Sequence, residues 1–580
     1  MISPQNFTEA QNYLTQDIDM ATPEEMLRLF RQSDSQIYNG FEEFPAITDE
    51  LILDKLEKVI LATAKVLKNS KNSAIVISGA GTSGRVATLI SEQFNQLLPK
   101  LGLTPCFYPL IAGGNLALIK AQEGAEDDAV QAVKDMRQFT DGKKLTAYFG
   151  VTCGMSAPYI SGQLNYTAPK KEFFSVLMGF NPSEASRDVP IENWNYTFKD
   201  IVKKIEKNDS CVILNPILGP EPITGSTRMK GGSATILLLE VIFALALWQT
   251  RKLSLKSLVP LKSKTKWTLR EAIMECLYHY ELTRVHTYRN IPKLSELITK
   301  AGKALRSGGS IYYLGNPPCG LLGTVDASEC PPTFGADFED VRGFVIGGWK
   351  SILGKGKDLS DEGEFYRISV VDFIKDILPK LSKKDIVIAI GCKTIPKKLR
   401  DLIRISSEKG AQTGVIAVNG NPATLEKLAD SVCPSIPVAE LIEGIPSYAV
   451  YATKLCLNAI TTGGHILAGK IYQNRMIDLK VSNNKLYYRT INIISSVMNV
   501  DTETATKCLH KAIYETDKVS AQITKTPISS HIEASTGKLK VVPTAMLLAT
   551  GKFNYKSARK ALESEPIVRN IIQSFIEKGK

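Results

Sequence analysis

The chain has 580 residues, 44% of them hydrophobic and 22% charged, which is too apolar for a disordered chain and too long for one core. Its formal net charge of +12 suits an anionic ligand, but the lysines are dispersed in short runs such as Lys203-Lys204 and Lys397-Lys398 without interleaved aromatics, which argues against nucleic acid. Ten cysteines with no CxxC pair, beside only five histidines, argue against a zinc cluster or other metal site and for reduced thiols in a cytosol.

The N-terminus lacks the basic start and apolar stretch of a signal peptide, so a cytoplasmic location is expected. Thr22-Pro23-Glu24-Glu25 predicts a helix start, with Thr22 as cap, Pro23 in the first turn and Glu25 completing a capping box. A second helix is expected over 51–67, then a strand over 73–78 that ends in glycine, then a helix from about Val86. Further strands are expected at 103–111, 145–151, 173–178 and 211–214, with helices between them. That alternation predicts a parallel sheet covered on both faces. The apolar run from Ile236 to Trp248, broken by Glu240, is too short to span a bilayer and predicts a buried helix closing this unit near residue 250.

The order then returns. A helix over 266–285 precedes a strand ending at Gly315, with more strands expected near 343–347, 368–371, 385–390 and 414–418. Gly79 falls on Gly315 at a separation of 236, and Ile111-Ala112-Gly113-Gly114 is echoed by Val345-Ile346-Gly347-Gly348 at 234. This predicts a duplicated domain. From about 480 the pattern is helical, with a β-like patch at Lys538–Val542.

Gly79-Ala80-Gly81-Thr82-Ser83-Gly84-Arg85 follows a strand and opens a helix. Glycines allow a tight turn, free amides at a helix start favour an anion, and Thr82 and Ser83 add hydroxyl donors. The string also fits GxGxxG, but the following Leu103–Tyr108 lacks the acidic residue that a dinucleotide ribose needs. Two segments of the same kind follow: Gly150–Ser156, with Thr152, Gly154 and Ser156, and Thr224–Gly232, with Ser226 and Thr227. Ser and Thr are common helix caps, so the three segments carry weight only together.

In the second copy Thr82, Ser83 and Arg85 are matched by Pro318, Cys319 and Leu321, and proline removes an amide donor. Conversely, Gln93 is matched by Glu329, inside the unusual string Asp326–Phe334, and Glu126 by Ser360. The copies read as complementary, with phosphate loop and Glu126 from one and Glu329 from the other. Each glutamate taken alone also fits a surface acid or a cap.

These strings, with Glu123–Asp128 and Tyr472–Leu486, resemble the superfamily of bacterial N-acetylmuramic acid 6-phosphate etherase and animal glucokinase regulatory protein, both built on sugar isomerase (SIS) domains. The resemblance implies an α/β fold. Two tandem SIS domains, with flavodoxin-like, doubly wound parallel sheets flanked by helices, precede a C-terminal α-helical lid. The implied divisions are 1–50 (N-terminal helical segment), 51–255, 256–480 and 481–580. It further implies that Gly81, Thr82, Ser83, Thr152, Gly154 and Ser156 hold a sugar phosphate, that the lid residue Lys485 reaches it, and that no cofactor is needed. Glu126 and Glu329 match the etherase's catalytic acids. Glu126 would abstract the C2 proton, and Glu329 would assist lactate departure and then activate water.

Two departures from the animal regulator are visible. The etherase-like pair Pro331-Pro332 stands where the regulator has a histidine, and the stretch from Ser435 to Tyr451 is shorter and lacks the apolar-aromatic patch of the kinase-binding surface. The sequence reading is therefore an etherase acting on N-acetylmuramic acid 6-phosphate in a fused architecture, functional as a monomer. The alternative is a regulator that senses fructose 6-phosphate or fructose 1-phosphate and inhibits a glucokinase or hexokinase, with nuclear visits in that case. Neither nucleic acid nor a membrane is expected as a partner.

Overall fold

The computed structural model describes residues 6–578 apart from 123, 192, 426, 434, 435, 479, 482 and 483. The first long helix, Pro23–Asn39, begins as its sequence demands: the Thr22 hydroxyl accepts from the Glu25 amide, and the Glu25 carboxylate accepts from the Thr22 amide. The helix Glu50–Lys68 follows and leads into the first sheet.

That sheet comprises β1 Ser73–Gly79, β2 Phe107–Ile111, β3 Leu145–Val151, β4 Phe173–Met178 and β5 Cys211–Leu214, all parallel, in the order β2-β1-β3-β4-β5. The second sheet comprises β6 Ile311–Gly315, β7 Val341–Val345, β8 Ile386–Cys392, β9 Gln412–Val418 and β10 Ser431–Cys433, in the order β7-β6-β8-β9-β10. The two orders are the same topology. Gly79 pairs in register with Ile111 and Val151, and Gly315 with Val345 and Ile390, so the repeat holds to the residue.

It extends to the backbone. Gly113 and Gly347, 234 positions apart, share a φ of +88°. Where each first strand meets its helix, glycine is obligatory: a Cβ on Gly84 would lie 2.8 Å from the Gly79 carbonyl oxygen, and one on Gly315 would lie 2.4 Å from that of Gly320.

Several local expectations are corrected. The helix after β1 spans Gly81–Leu97, not Val86 onward, because the glycine loop is its first turn. Residues 103–106 precede β2 rather than belong to it. Residues 368–371 are not a strand: Ser369 makes a single bridge to Val345, and its hydroxyl then caps the short helix Val370–Asp372. The Lys538–Val542 patch is not a strand but leads into the helix Val541–Ala549, whose Val542, Ala545 and Met546 are buried in the core of the C-terminal helical region. β10 was not foreseen, since three residues give no period to read.

The apolar run after Gly232 is part of a 20-residue helix, Lys230–Gln249, long and apolar enough by length and composition to cross a membrane. Here 94% of its most apolar window is buried inside the protein. Its counterpart, Ser447–Leu467, is buried almost throughout, and the two helices touch. That contact draws the second unit's helix beneath the loop that precedes Lys230.

Candidate functional site

A cavity of about 400 Å³ opens at the C-terminal ends of β1 and β3, where the strand order reverses. Ligands of open parallel sheets bind at such switch points. Four parts of the chain meet around it. The first unit contributes Gly81, Thr82, Ser83 and Arg85, then Glu126, then Thr152, Gly154 and Ser156, then Ser226 and Thr227. The second contributes Glu329, Pro332 and Thr333 from the helix Leu321–Phe334. Arg489, from the helix Asn484–Met498, and Glu9 complete the wall.

The glycine loop after β1 is shaped by Gly81, whose φ of +50° favours glycine, and the Ser83 amide donates to the Ala80 carbonyl oxygen at 3.1 Å as the helix opens. The buried Ser83 hydroxyl lies 3.9 Å from the Cys153 Sγ. The Thr152 hydroxyl accepts from the amides of Ser156 (3.3 Å) and Ala157 (3.4 Å), which curls the loop after β3 around the cavity. Asn181 donates to the Gly154 carbonyl oxygen at 3.2 Å and fixes the far side of that curl. Three buried polar atoms of the cavity residues, Ser226 Oγ, Arg228 Nε and Glu329 Oε1, have no hydrogen-bond partner within the protein. A buried polar group without a partner costs about 1–3 kcal/mol, so all three favour a polar ligand.

The two glutamates occupy different environments. Glu126 sits exposed in the short turn Ala125–Asp127. Glu329 is 3% exposed, and burial pushes its carboxyl above the ordinary value, against the pull of Arg85, Lys454, Arg228 and the Thr82 hydroxyl. The buried Lys454 is in turn pushed down by burial and held up by Glu329. Its Nζ donates to the Arg228 carbonyl oxygen at 2.6 Å. Arg85 donates to the carbonyl oxygens of Leu118 (2.9 Å) and Ala117 (3.0 Å), so it fastens the turn after β2 to the glycine loop after β1.

Because the folded protein holds the Glu329 proton more tightly than the unfolded chain does, Glu329's contribution to stability is full below its ordinary pKa of 4.5 and is lost as pH rises through the elevated value. Wild type should therefore lose stability relative to Glu329→Gln as pH rises from 4.5. Urea unfolding of both proteins across that range checks this; a constant difference would contradict it.

Every predicted site residue whose side chain is described lines this one cavity. The exception, the Lys485 side chain, lies outside the described residues. Among the described side chains, Arg489, one helical turn further on, is the tail cation at the cavity wall. Arg228 at the cavity wall was missed, as were Asp326 and Lys454, which bond to it. Arg228 and Asp326 stand inside strings already singled out, while the signal for Lys454 is a lone lysine in the apolar run of Ser447–Leu467.

Two parallel units of one topology, with anion-type loops kept in the first and an acid contributed by the second, define a double SIS-domain protein. The chain matches the profiles of the glucokinase regulatory protein N-terminal SIS domain over 58–168, its second SIS domain over 288–430, and its C-terminal lid domain over 473–572. It is 33% identical to the glucokinase regulatory protein of Xenopus laevis and 32% to that of Homo sapiens, in each case over 98% of this chain and 92% of the relative. The chain belongs to the glucokinase regulatory protein family. A more partial likeness links it to the N-acetylmuramic acid 6-phosphate etherase of Glaesserella parasuis, 34% identical over 37% of this chain and 69% of that protein.

Proposed function

We propose that this chain binds a phosphorylated sugar in the four-part cavity and regulates a glucokinase-type sugar kinase according to its occupancy. The observation that carries this reading is the composite wall. The phosphate-type loops come from the first unit, Glu329 from the second and Arg489 from the C-terminal helices, so a bound anion would tie all three together. Fructose 6-phosphate and fructose 1-phosphate are the ligands to test first, by analogy with the regulators this chain resembles along its length. Since both halves belong to one polypeptide, a monomer holds the complete site. The expected result is a saturable rise in melting temperature with either ester, together with inhibition of a glucokinase that the ester modulates. Absence of both effects would end this reading.

A second reading rests on a specific pairing. Glu126 and Glu329 line the same cavity, and burial favours the protonated form of Glu329. An etherase needs such a pair. One carboxylate takes the C2 proton, the C–H electrons become a C2–C3 double bond, and the C3–O bond breaks as a carboxylic acid protonates the leaving lactate oxygen. Water then adds across the double bond. The large apolar residues Ile436, Leu441, Ile442, Tyr448 and Tyr451 are buried rather than displayed, which supports the same reading. Lactate release from N-acetylmuramic acid 6-phosphate, abolished in Glu329→Gln with ligand binding retained, is the outcome expected of an etherase. No release from wild type would remove that activity.

A further inference from the structure

The phosphosugar cavity has a pseudosymmetric counterpart. The separation of 236 that takes Gly79 to Gly315 takes Gly81, Thr82 and Arg85 to Pro317, Pro318 and Leu321. It also takes Gln93, Gln96 and Leu97 to Glu329, Pro332 and Thr333. In each set the first-unit and second-unit residues exchange roles. Gly81, Thr82, Arg85, Glu329, Pro332 and Thr333 line the first cavity, while Pro317, Pro318, Leu321, Gln93, Gln96 and Leu97 line another, of about 300 Å³. Even Ala117 and Ser351, related by the separation of 234, face the two cavities in the same way.

The geometry is repeated but the chemistry is inverted. Pro318 has no amide to offer an anion, and the buried guanidinium of Arg85 is replaced by the Leu321 side chain. The carboxylate of Glu329 is replaced by the Gln93 amide, which is already donated to Glu240 (3.0 Å) and Ser447 (3.3 Å). Leu89, Ile352, Ile445, Pro446 and Val450 complete the wall, and Glu92 and Lys100 add one charge of each sign. Glu92 is itself engaged, accepting from Gln96 at 3.0 Å. A concave, mainly apolar pocket of this size is at the lower end of those that hold small organic ligands.

We propose that this second cavity is a ligand site in its own right, for an uncharged, largely apolar small molecule. Its walls connect it to the first cavity. The helix Gly81–Leu97 starts at the phosphate loop and ends at the apolar cavity, and the helix Leu321–Phe334 runs the other way, from Leu321 to Glu329 and Thr333.

Indole is a suitable probe, titrated calorimetrically into the full chain. The expected result is saturable binding at one site. It should weaken about tenfold or more in Leu89→Trp, which fills the cavity from the first unit, and in Val450→Phe, which fills it from the second. Leu89 is only partly buried, so its variant tests the site even if Val450→Phe disturbs packing. Crystals soaked in 5-bromoindole should place the bromine between Leu89 and Val450. Binding that does not saturate, binding indifferent to both substitutions, or bromine found only elsewhere would overturn the proposal.

Discussion

Arg228→Met should destabilise the protein by about 3–5 kcal/mol, the usual cost of stranding one partner of a buried ion pair. Arg228 and Asp326 have side chains only 2% and 5% exposed, and the guanidinium donates to Asp326 Oδ1 at 2.9 Å. Its other terminal nitrogen donates to the hydroxyls of Thr462 (2.7 Å) and Thr461 (3.2 Å), and its face lies 5.4 Å from the Phe334 ring centre. Burial already pushes the Asp326 carboxyl above its ordinary value, and Arg228 is the largest influence pulling it back. Methionine keeps most of the packing volume and removes the charge and the donors. Adding Asp326→Leu should recover much of the loss, because the stranded carboxylate is then gone. Urea unfolding measures both variants, and a loss below about 1 kcal/mol for Arg228→Met would place the pair among those that contribute little. The same substitution should loosen the seat of Glu329, since Asp326 lies one turn before it on the same helix.

The second large effect is expected from writing the second copy's loop into the first. Thr82→Pro with Ser83→Cys removes one amide and two hydroxyls from the phosphate loop. Proline is tolerated in the first turn of a helix, so the fold should survive. Hydrogen bonds to a charged partner contribute about 1.5–3 kcal/mol each. Losing two of them should weaken fructose phosphate binding by about 100-fold or more. The readout is the ester-induced rise in melting temperature, which should disappear while the melting temperature of the free protein changes little. An undiminished shift would place the phosphate elsewhere.

What could be read without coordinates was local or periodic. The β1 loop is legible because a strand, a glycine turn and a helix start lie side by side in sequence. The duplication is legible because glycines forced by backbone contact, Gly79 with Gly84 and Gly315 with Gly320, recur at one separation. Glu329 could be paired with the first copy because its neighbours keep that separation too. Where local signals misled, a neighbour in space or in sequence had overruled propensity. Val541 and Val542 are good strand residues, yet they open a helix because Ala545 and Met546 continue the same buried face. At 368–371, the Ser369 cap gave the backbone a helical alternative to the sheet.

The sequence by itself determined the two parallel α/β units, the glycine loop after β1 and the division of acids between the copies, because each depends on residues adjacent in the chain or on a constant separation. Tertiary structure alone decided the rest. Arg228 finds Asp326 across 98 positions, and Lys454 reaches the Arg228 carbonyl across 226. Which tail cation reaches the cavity wall, Arg489 among the described side chains, is likewise set by how the C-terminal helices seat on the first unit. No pattern of spacing forecasts such contacts, because a charge can be buried at low cost only when several distant elements close around it at once and supply its partners.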